Sequence, residues 1–306
     1  MTIDKPMEEK SDGLALGYVL ALLGVLAFST RAVLTRLGYA EGVDAETLLA
    51  LRMGLALPFF IGMGLWGRSR AEAPMAIPDI ARAAGLGLLG YYLASYLDFL
   101  GLVTVPAGLG RLILFLYPTF VIFLSAVFLR QFPGRKELAC LAVAYVGLFL
   151  VLGAPAREMD SALTGGAFLI LMSAVCYSLY LVGSSVIVRR IGSARFTSIA
   201  MIAASTAAIA QFFALKPAGS LLEVSPTIWM IAGWIALIAT VLPVWATAEA
   251  LRRIGATKAS IVGALGPVST ITLGWIGLNE ALTGIQIAGA ALIIAGVGML
   301  TLRRKR

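Results

Sequence analysis

The sequence predicts an all-α polytopic membrane protein in which ten transmembrane helices, arranged as two inverted five-helix repeats, surround a central cavity. Three observations predict it. First, 60% of the 306 residues are apolar, only 13% are charged and the mean hydropathy is +0.94, a composition that one soluble core cannot absorb. Second, apolar runs of about 20 residues, the length that crosses a hydrocarbon core of ~30 Å, follow one another nearly end to end. Third, the chain repeats: Pro118 aligns with Pro267, Gly147 with Gly296, Ala107 with Ala256 and Leu129 with Leu278, all at an offset of 149 residues without a gap. The loops flanking the two copies are opposite in charge. Arg130 to Lys136 is basic where Asn279 to Ile285 has no cation, and Val103 to Pro106 is neutral where Arg252 to Gly255 is basic. Lys and Arg in short loops stay on the cytoplasmic side, so copies with swapped loop charge lie in opposite orientations across the bilayer. That is how inverted-repeat transporters are built.

Each span must be helical, because a segment isolated in lipid has to satisfy its own backbone. The polar stretch Met1 to Asp12 carries Glu8 and Glu9 where a cleaved signal would carry cations, so residues 1–13 read as a cytoplasmic tail. The first span, about Leu14 to Leu37, stops at a polar loop. Ala45 to Trp66 then runs to Gly67-Arg68, and Ile80 to Val103 lies between Pro78-Asp79 and Pro106. Ala107 to Leu129 contains Pro118 and ends at Arg130, and Glu137 to Gly153 completes the first repeat, residues 14–153. An external linker of residues 154–163 leads to the second repeat, residues 164–302. There the spans are Thr164 to Val188, ended by Arg189-Arg190; Phe196 to Leu215, ended by Lys216-Pro217; and Pro226 to Leu251, ended by Arg252-Arg253. Gly255 to Leu278, with Pro267, and Thr283 to Leu302 follow, before the basic cytoplasmic terminus of residues 303–306.

Assigning the loops alternately sorts the cations. One side collects Lys5, Lys10, Arg68, Arg70, Arg82, Arg130, Arg135, Lys136, Arg189, Arg190, Arg195, Arg252, Arg253, Lys258 and the C-terminal Arg303 to Arg306, while the other holds only Arg157 and Lys216. A wrong span count would scramble this pattern. Both termini are therefore expected on the cytoplasmic side of the cytoplasmic membrane.

Composition also excludes classes. The net charge of +8 sits in loops without an Arg-rich stripe, so nucleic acid is not an expected partner. The two cysteines, Cys140 and Cys176, lie inside apolar segments and suggest packing, not a disulfide framework or metal site. Without any His, His-dependent zinc sites and Ser-His-Asp chemistry are excluded. No Walker-type phosphate loop occurs, so ATP is not the evident energy source, and no cofactor is expected. A membrane-embedded enzyme would need a convergent acid–base or nucleophilic set that the sequence does not offer.

The stretch Leu251, Gly255, Ala256, Ser260, Pro267, Leu278, Glu280, Thr283, Gln286, Gly289, Ala290 and Gly296 resembles the drug/metabolite transporter superfamily, specifically its ten-helix proteins with two EamA-type halves. Asn279 stands where the family usually has Gly. The first half keeps Ala107, Pro118 and Gly147 and has Arg130-Gln131 in place of Gly-Glu. The resemblance covers essentially the whole chain. It implies small-molecule transport, most often export of amino acids, other metabolites or drugs, and it does not name a substrate.

Charges inside spans point to where a substrate would bind. Each would cost roughly 2.5 to 3.5 kcal/mol at the middle of a lipid-facing helix, so they should face the bundle interior, water or one another. Arg31, Arg52, Asp98 and Arg111 each fall within about five to eight residues of the external surface, which puts them in one layer at ~1.5 Å per residue. Arg36, near a helix end, reads as an interfacial anchor. Two uses are open for the layer: a structural ion-pair cluster or external gate, and an anion site for a group such as an amino-acid carboxylate, which a planar guanidinium suits. Phe28, Arg31 and Thr35 share one stripe, and its counterpart in the second half reads Tyr177, Tyr180 and Ser184. The third span adds Tyr92, Tyr96 and Phe99 on one face with Tyr91, Ser95 and Asp98 beside it, and Trp245 aligns with Tyr96. Such aromatics serve as packing as well as binding walls; the candidates for the latter are Tyr92, Tyr96, Tyr177, Tyr180 and Trp245. Pro118 and Pro267 free the carbonyls of Leu114 and Gly263 and are candidate hinges.

The sequence thus reads as a secondary transporter or facilitator of small metabolites working by alternating access, an exporter of amino acids or related carboxylates. The expected partners are an anionic or zwitterionic small molecule and the bilayer, in a monomer or homodimer. The rival reading is a multidrug or organic-cation exporter, which wants a mid-membrane carboxylate that arginines do not outnumber.

Overall fold

The computed structural model describes residues 5–69, 75–102, 104–105, 113–152, 161–221, 223–266, 268–269, 272 and 284–301. All its regular elements are helical. In the first repeat they are α1 (Lys5–Ala40), α2 (Ala45–Ser69), the composite α3 (Ile77–Gly87, a π-helical stretch Leu88–Leu93, then Ala94–Leu102), α4 (Tyr117–Leu129) and α5 (Arg135–Leu152). In the second they are α6 (Ser161–Ile191), α7 (Ser193–Leu215), the composite α8 (Pro226–Ala236, a π-helical stretch Leu237–Val241, then Leu242–Gly263) and α9 (Gly284–Thr301). Among the described residues, five helices are long and apolar enough to cross a membrane: Gly13–Arg31, Glu46–Gly67, Thr164–Ile191, Ser193–Leu215 and Pro226–Gly263. Their outward positions, such as Leu65, Val186, Phe213 and Trp229, are exposed apolar side chains, as a lipid-facing surface requires.

Helix α1 begins at Lys5, well before the apolar run, so the polar segment expected as a tail is helical from that residue. Helix α2 is capped by Asp44: the Thr47 N–H donates to Oδ1 at 2.9 Å and the Thr47 hydroxyl to Oδ2 at 2.8 Å, a cap worth about 1 kcal/mol. Gly192 alone joins α6 to α7 with φ 84°, and Gly255 breaks α8 with φ 77°, ψ 172°. Both conformations are cheap for glycine and strained for a side chain.

The repeat is visible in the irregularities. The π-helical stretch opens at Leu88 in α3 and at Leu237 in α8, an offset of 149. The chain also turns at Phe115-Leu116, just before α4, and at Ala264-Leu265, just after α8. The turn bonds match as well: Leu116 N–H donates to the Ile113 carbonyl at 3.1 Å, and Leu265 N–H to the Val262 carbonyl at 3.0 Å.

The halves interlock instead of lying side by side. Helix α1 packs along α8, α6 along α3, α2 along α7 and α5 along α9, so each long contact joins one repeat to the other. Glycines set the α5–α9 approach: a Cβ on Gly147 would lie 2.8 Å from Ile293 Cγ1, and one on Gly296 would lie 2.8 Å from the Cys140 carbonyl. Gly289 and Gly296 therefore serve packing within the chain.

Ionic contacts cluster at the two ends of the bundle. At the basic end, Asp79 of α3 holds Arg190 of α6 at 3.3 Å and Arg82 at 3.5 Å, while Glu249 binds Arg252, Ser193 and, at 2.8 Å, Arg253. Arg195 also donates to the Gly67 carbonyl at 3.0 Å, across the halves. At the opposite end Lys216 meets Asp44 at 2.5 Å. Partial burial pushes the Asp44 carboxyl up, but hydrogen bonds from Lys216 and Thr47 outweigh it and hold the group well below the usual carboxylate range.

Candidate functional site

The interlocked helices enclose a cavity of about 150 Å³ at mid-bundle. Its lining residues pair off at the repeat offset: Gly24 with Ser173, Phe28 with Tyr177, Gly90 with Ala239, Tyr91 with Thr240, Ala94 with Pro243, Asp98 with Thr247, Leu114 with Gly263, and Tyr117 with Gly266. The cavity thus lies where the symmetric backbone plans of the two halves meet. Its chemistry is one-sided: the first half supplies Arg31, Arg52 and Asp98, the second small and hydroxyl side chains such as Ser173, Thr240, Thr247 and Ser260.

Helix α1 presents Gly24, Phe28 and Arg31 to the cavity on successive turns. The Arg31 guanidinium stacks over the Phe28 ring at 4.2 Å, a cation–π contact that orients the charge along the wall. Helix α2 contributes Arg52, only 5% exposed, whose Nε has no hydrogen-bond partner among the described residues. Asp98 reaches the cavity from the last turns of α3 and is buried. The described lining therefore places two guanidinium groups and one carboxylate on the same cavity, with Arg52 and Asp98 both buried.

An aromatic wall faces them. Tyr177 meets Tyr117 edge-on with ring centroids 5.4 Å apart, and the Tyr117 hydroxyl donates across the halves to the Ser260 carbonyl at 3.0 Å. Gly263 leaves the room that this hydroxyl occupies. Behind the wall, Tyr180 is fully buried, stacks on Tyr177 at 5.9 Å and donates its hydroxyl to that of Tyr91 at 3.2 Å. Gly90 sits against the Tyr180 ring, where a Cβ would not fit.

A second set of contacts obeys the repeat. Ser29 lies 3.4 Å from the Gly266 carbonyl and 2.8 Å from that of Val25 in its own helix. Its counterpart Ser178 lies 3.0 Å from the Tyr117 carbonyl and 2.6 Å from that of Ala174. Each serine on the first helix of one half thus reaches the broken helix of the other. A hydroxyl has one proton, so each can serve its own helix or the partner half fully, but not both.

Of the residues selected from sequence, Arg31, Arg52, Asp98 and Tyr177 come together on the cavity wall, and Tyr180 stands directly behind it. Tyr92 and Tyr96 stack on each other at 6.4 Å away from the lining, and Trp245 is 37% exposed and also off it. Pro118 occupies the first turn of α4, directly after the turn, where its missing N–H removes no intrahelical bond, and Leu114 and Gly263 both line the cavity. Arg111 and Pro267 lie outside the described residues. Tyr117 and Ser173, which also line the cavity, were not selected from sequence, and of the two aromatic faces of α3 it is not that of Tyr92 and Tyr96 that lines it. The facing stripe is Tyr91, Ser95 and Asp98; the presence of the charge on it was the available signal.

The profile of the EamA-like transporter family matches this chain twice, over residues 15–153 and 164–302. The chain belongs to the EamA-like transporter family. Within the drug/metabolite transporter superfamily, this EamA-like protein is a multi-pass membrane transporter of small molecules. It is 32% identical over 279 residues to the uncharacterized transporter YcbK of Bacillus subtilis (strain 168), covering 90% of this chain and 89% of that one. It is 28% identical over 273 residues to the threonine/homoserine exporter RhtA of Salmonella typhimurium, covering 86% and 84%. A crystal structure at 20% identity superposes with a TM-score of 0.76 over 93% of this chain and 96% of the other, a likeness of fold alone.

Proposed function

We propose that this EamA-like protein is a secondary transporter that exports small amino acids or related carboxylate metabolites across the cytoplasmic membrane by alternating access, with both termini cytoplasmic. The observation that carries the reading is Arg52: a buried guanidinium on the cavity wall whose Nε has no hydrogen-bond partner among the described residues, close to the field of Arg31. An incoming carboxylate supplies an acceptor for that Nε. Asp98 and the faces of Tyr91 and Tyr177 then offer a place for an α-ammonium group, so the site suits a zwitterion. The small cavity favours short side chains, and the hydroxyls of Ser173, Thr240, Thr247 and Ser260 can serve a polar one. The relative RhtA, named as an exporter of threonine and homoserine, supports the same substrate class.

In this reading the two interlocked repeats, residues 14–153 and 164–302, exchange conformations with each other during transport, and Pro118 and Pro267 are the hinges. Tyr180 supports the wall formed by Tyr91 and Tyr177. Tyr92, Tyr96 and Trp245, off the lining in this conformation, would act only if they enter it in another. The test is flux in proteoliposomes loaded with zwitterionic amino acids, monocarboxylates or organic cations, with and without a proton gradient. Saturable amino-acid efflux supports the reading; flux of cations alone would replace it with the multidrug alternative.

A further inference from the structure

At the basic end of the bundle, away from the substrate cavity, α3 and α6 leave a groove of about 490 Å³ between them. Its walls are Gly85, Leu86 and Leu89 on one helix and Gly183, Val186 and Ile187 on the other, and Arg82 and Arg190 stand at its mouth. On each helix the arginine lies seven residues from the far wall, so the groove runs roughly 10 Å from the charged rim into the apolar layer. Both guanidinium groups are held by the single carboxylate of Asp79, at 3.5 Å and 3.3 Å, yet each side chain remains 58% exposed. The rim therefore presents one positive charge beyond what Asp79 neutralises, on two side chains that remain largely exposed.

The repeat provides an internal control. At the equivalent positions of the other half, Arg82 and Arg190 are replaced by Ile231 and Glu41, Gly85 by Trp234 and Gly183 by Leu34. The copy at the basic end thus has glycines where its twin has bulk, and cations where its twin has an apolar and an acidic residue. A Cβ on Gly85 would meet nothing within 4 Å, so the groove is open there, while Gly183 lets Leu86 lie close against α6. Topogenic charge alone explains arginines at this end, but not an apolar groove cut beneath them.

We propose that the groove seats an acyl chain of an anionic phospholipid from the leaflet at this end, with its phosphate against Arg82 and Arg190. A phosphate suits two adjacent guanidinium groups, and the apolar walls suit the chain. Under the orientation proposed above this is the cytoplasmic leaflet. None of the groove residues lines the substrate cavity.

The test is native mass spectrometry of the full chain in detergent micelles, titrated with phosphatidylglycerol or with phosphatidylcholine of the same acyl chains. The expected result is one retained phosphatidylglycerol, preferred on the order of tenfold over phosphatidylcholine. Arg82→Gln with Arg190→Gln brings that preference to near unity, and Gly85→Trp, which copies the twin position, removes the retained lipid of either kind. Thermal unfolding of each variant in the same micelles confirms that it is folded. Unchanged retention in both variants overturns the proposal, as does displacement of the lipid by millimolar inorganic phosphate, which would mark a site for a soluble anion. Binding in micelles has no sidedness and uses no transport substrate, so it fails or succeeds independently of the proposed orientation and function.

Discussion

Replacing Arg52 with Gln separates a binding arginine from a structural one. The side chain is 5% exposed, lines the cavity and keeps Nε without a partner among the described residues. A charge-assisted hydrogen bond to a carboxylate contributes about 1.5 to 3 kcal/mol net. Losing it weakens substrate binding roughly 10- to 150-fold. Stability moves the other way or not at all, because removing a buried charge with an unsatisfied donor relieves a desolvation cost. Equilibrium binding of labelled amino acid to purified protein gives the first quantity, and thermal unfolding in the same detergent gives the second. If Arg52 instead braces an ion-pair cluster, its loss leaves Asp98 under-compensated and destabilises by about 3 to 5 kcal/mol. A clear drop in Tm with unchanged affinity would refute the reasoning.

The reciprocal serines set the rate of interconversion in this account. Ser29→Ala and Ser178→Ala each remove a cross-half bond worth about 1 kcal/mol, so turnover in proteoliposomes changes several-fold while KM holds; Pro118→Ala with Pro267→Ala lowers turnover in the same way. Unaltered turnover in the two serine variants and in the proline double variant contradicts a hinge at these breaks. Gly147→Leu forces a side chain onto Ile293 and the Gly289 carbonyl, and should destabilise by about 1 to 3 kcal/mol, read as a lower Tm in detergent; an unchanged Tm would show that α5 and α9 separate freely. The Asp44–Lys216 pair has a definite pH signature. Because the folded-state pKa of Asp44 is depressed, the pair's stabilisation is present above about 3.9 and is lost as pH falls through the lower folded value. The Tm deficit of Asp44→Asn should therefore be constant from pH 8 to 5, shrink in strong acid and shrink with added salt, since both side chains are partly exposed. A deficit that grows on acidification would reverse the sign assigned here.

The fold was legible because lipid leaves the backbone few choices. Apolar length, loop charge and the 149-residue offset each depend on local sequence, and together they prescribe helices, sidedness and inversion. The same offset relates the π-helical stretches opening at Leu88 and Leu237 and the turns at Phe115-Leu116 and Ala264-Leu265. What it could not reveal is how the halves interlock: the contacts of Ser29 with Gly266 and of Tyr117 with Ser260 span more than 140 residues and follow from packing. At the site, intramembrane charge was a sound guide, since desolvation forces Arg31, Arg52 and Asp98 inward. Aromatic stripes were a poorer one. Tyr92 and Tyr96 are as apolar as Tyr91 and lie only one position away, so aromatic spacing alone does not separate the two faces; the buried Asp98, one stripe with Tyr91 and Ser95, does.

The central claim, that the cavity recognises a carboxylate beside an ammonium group, is tested most directly by competition in a flux assay. Proteoliposomes containing the purified protein are loaded with labelled L-threonine, and efflux is measured against unlabelled L-threonine, its methyl ester and the corresponding decarboxylated amine. The account predicts saturable efflux that the free amino acid inhibits and that neither the ester nor the amine inhibits at tenfold higher concentration, with this discrimination lost in Arg52→Gln. Inhibition by the amine equal to that by the amino acid would contradict it.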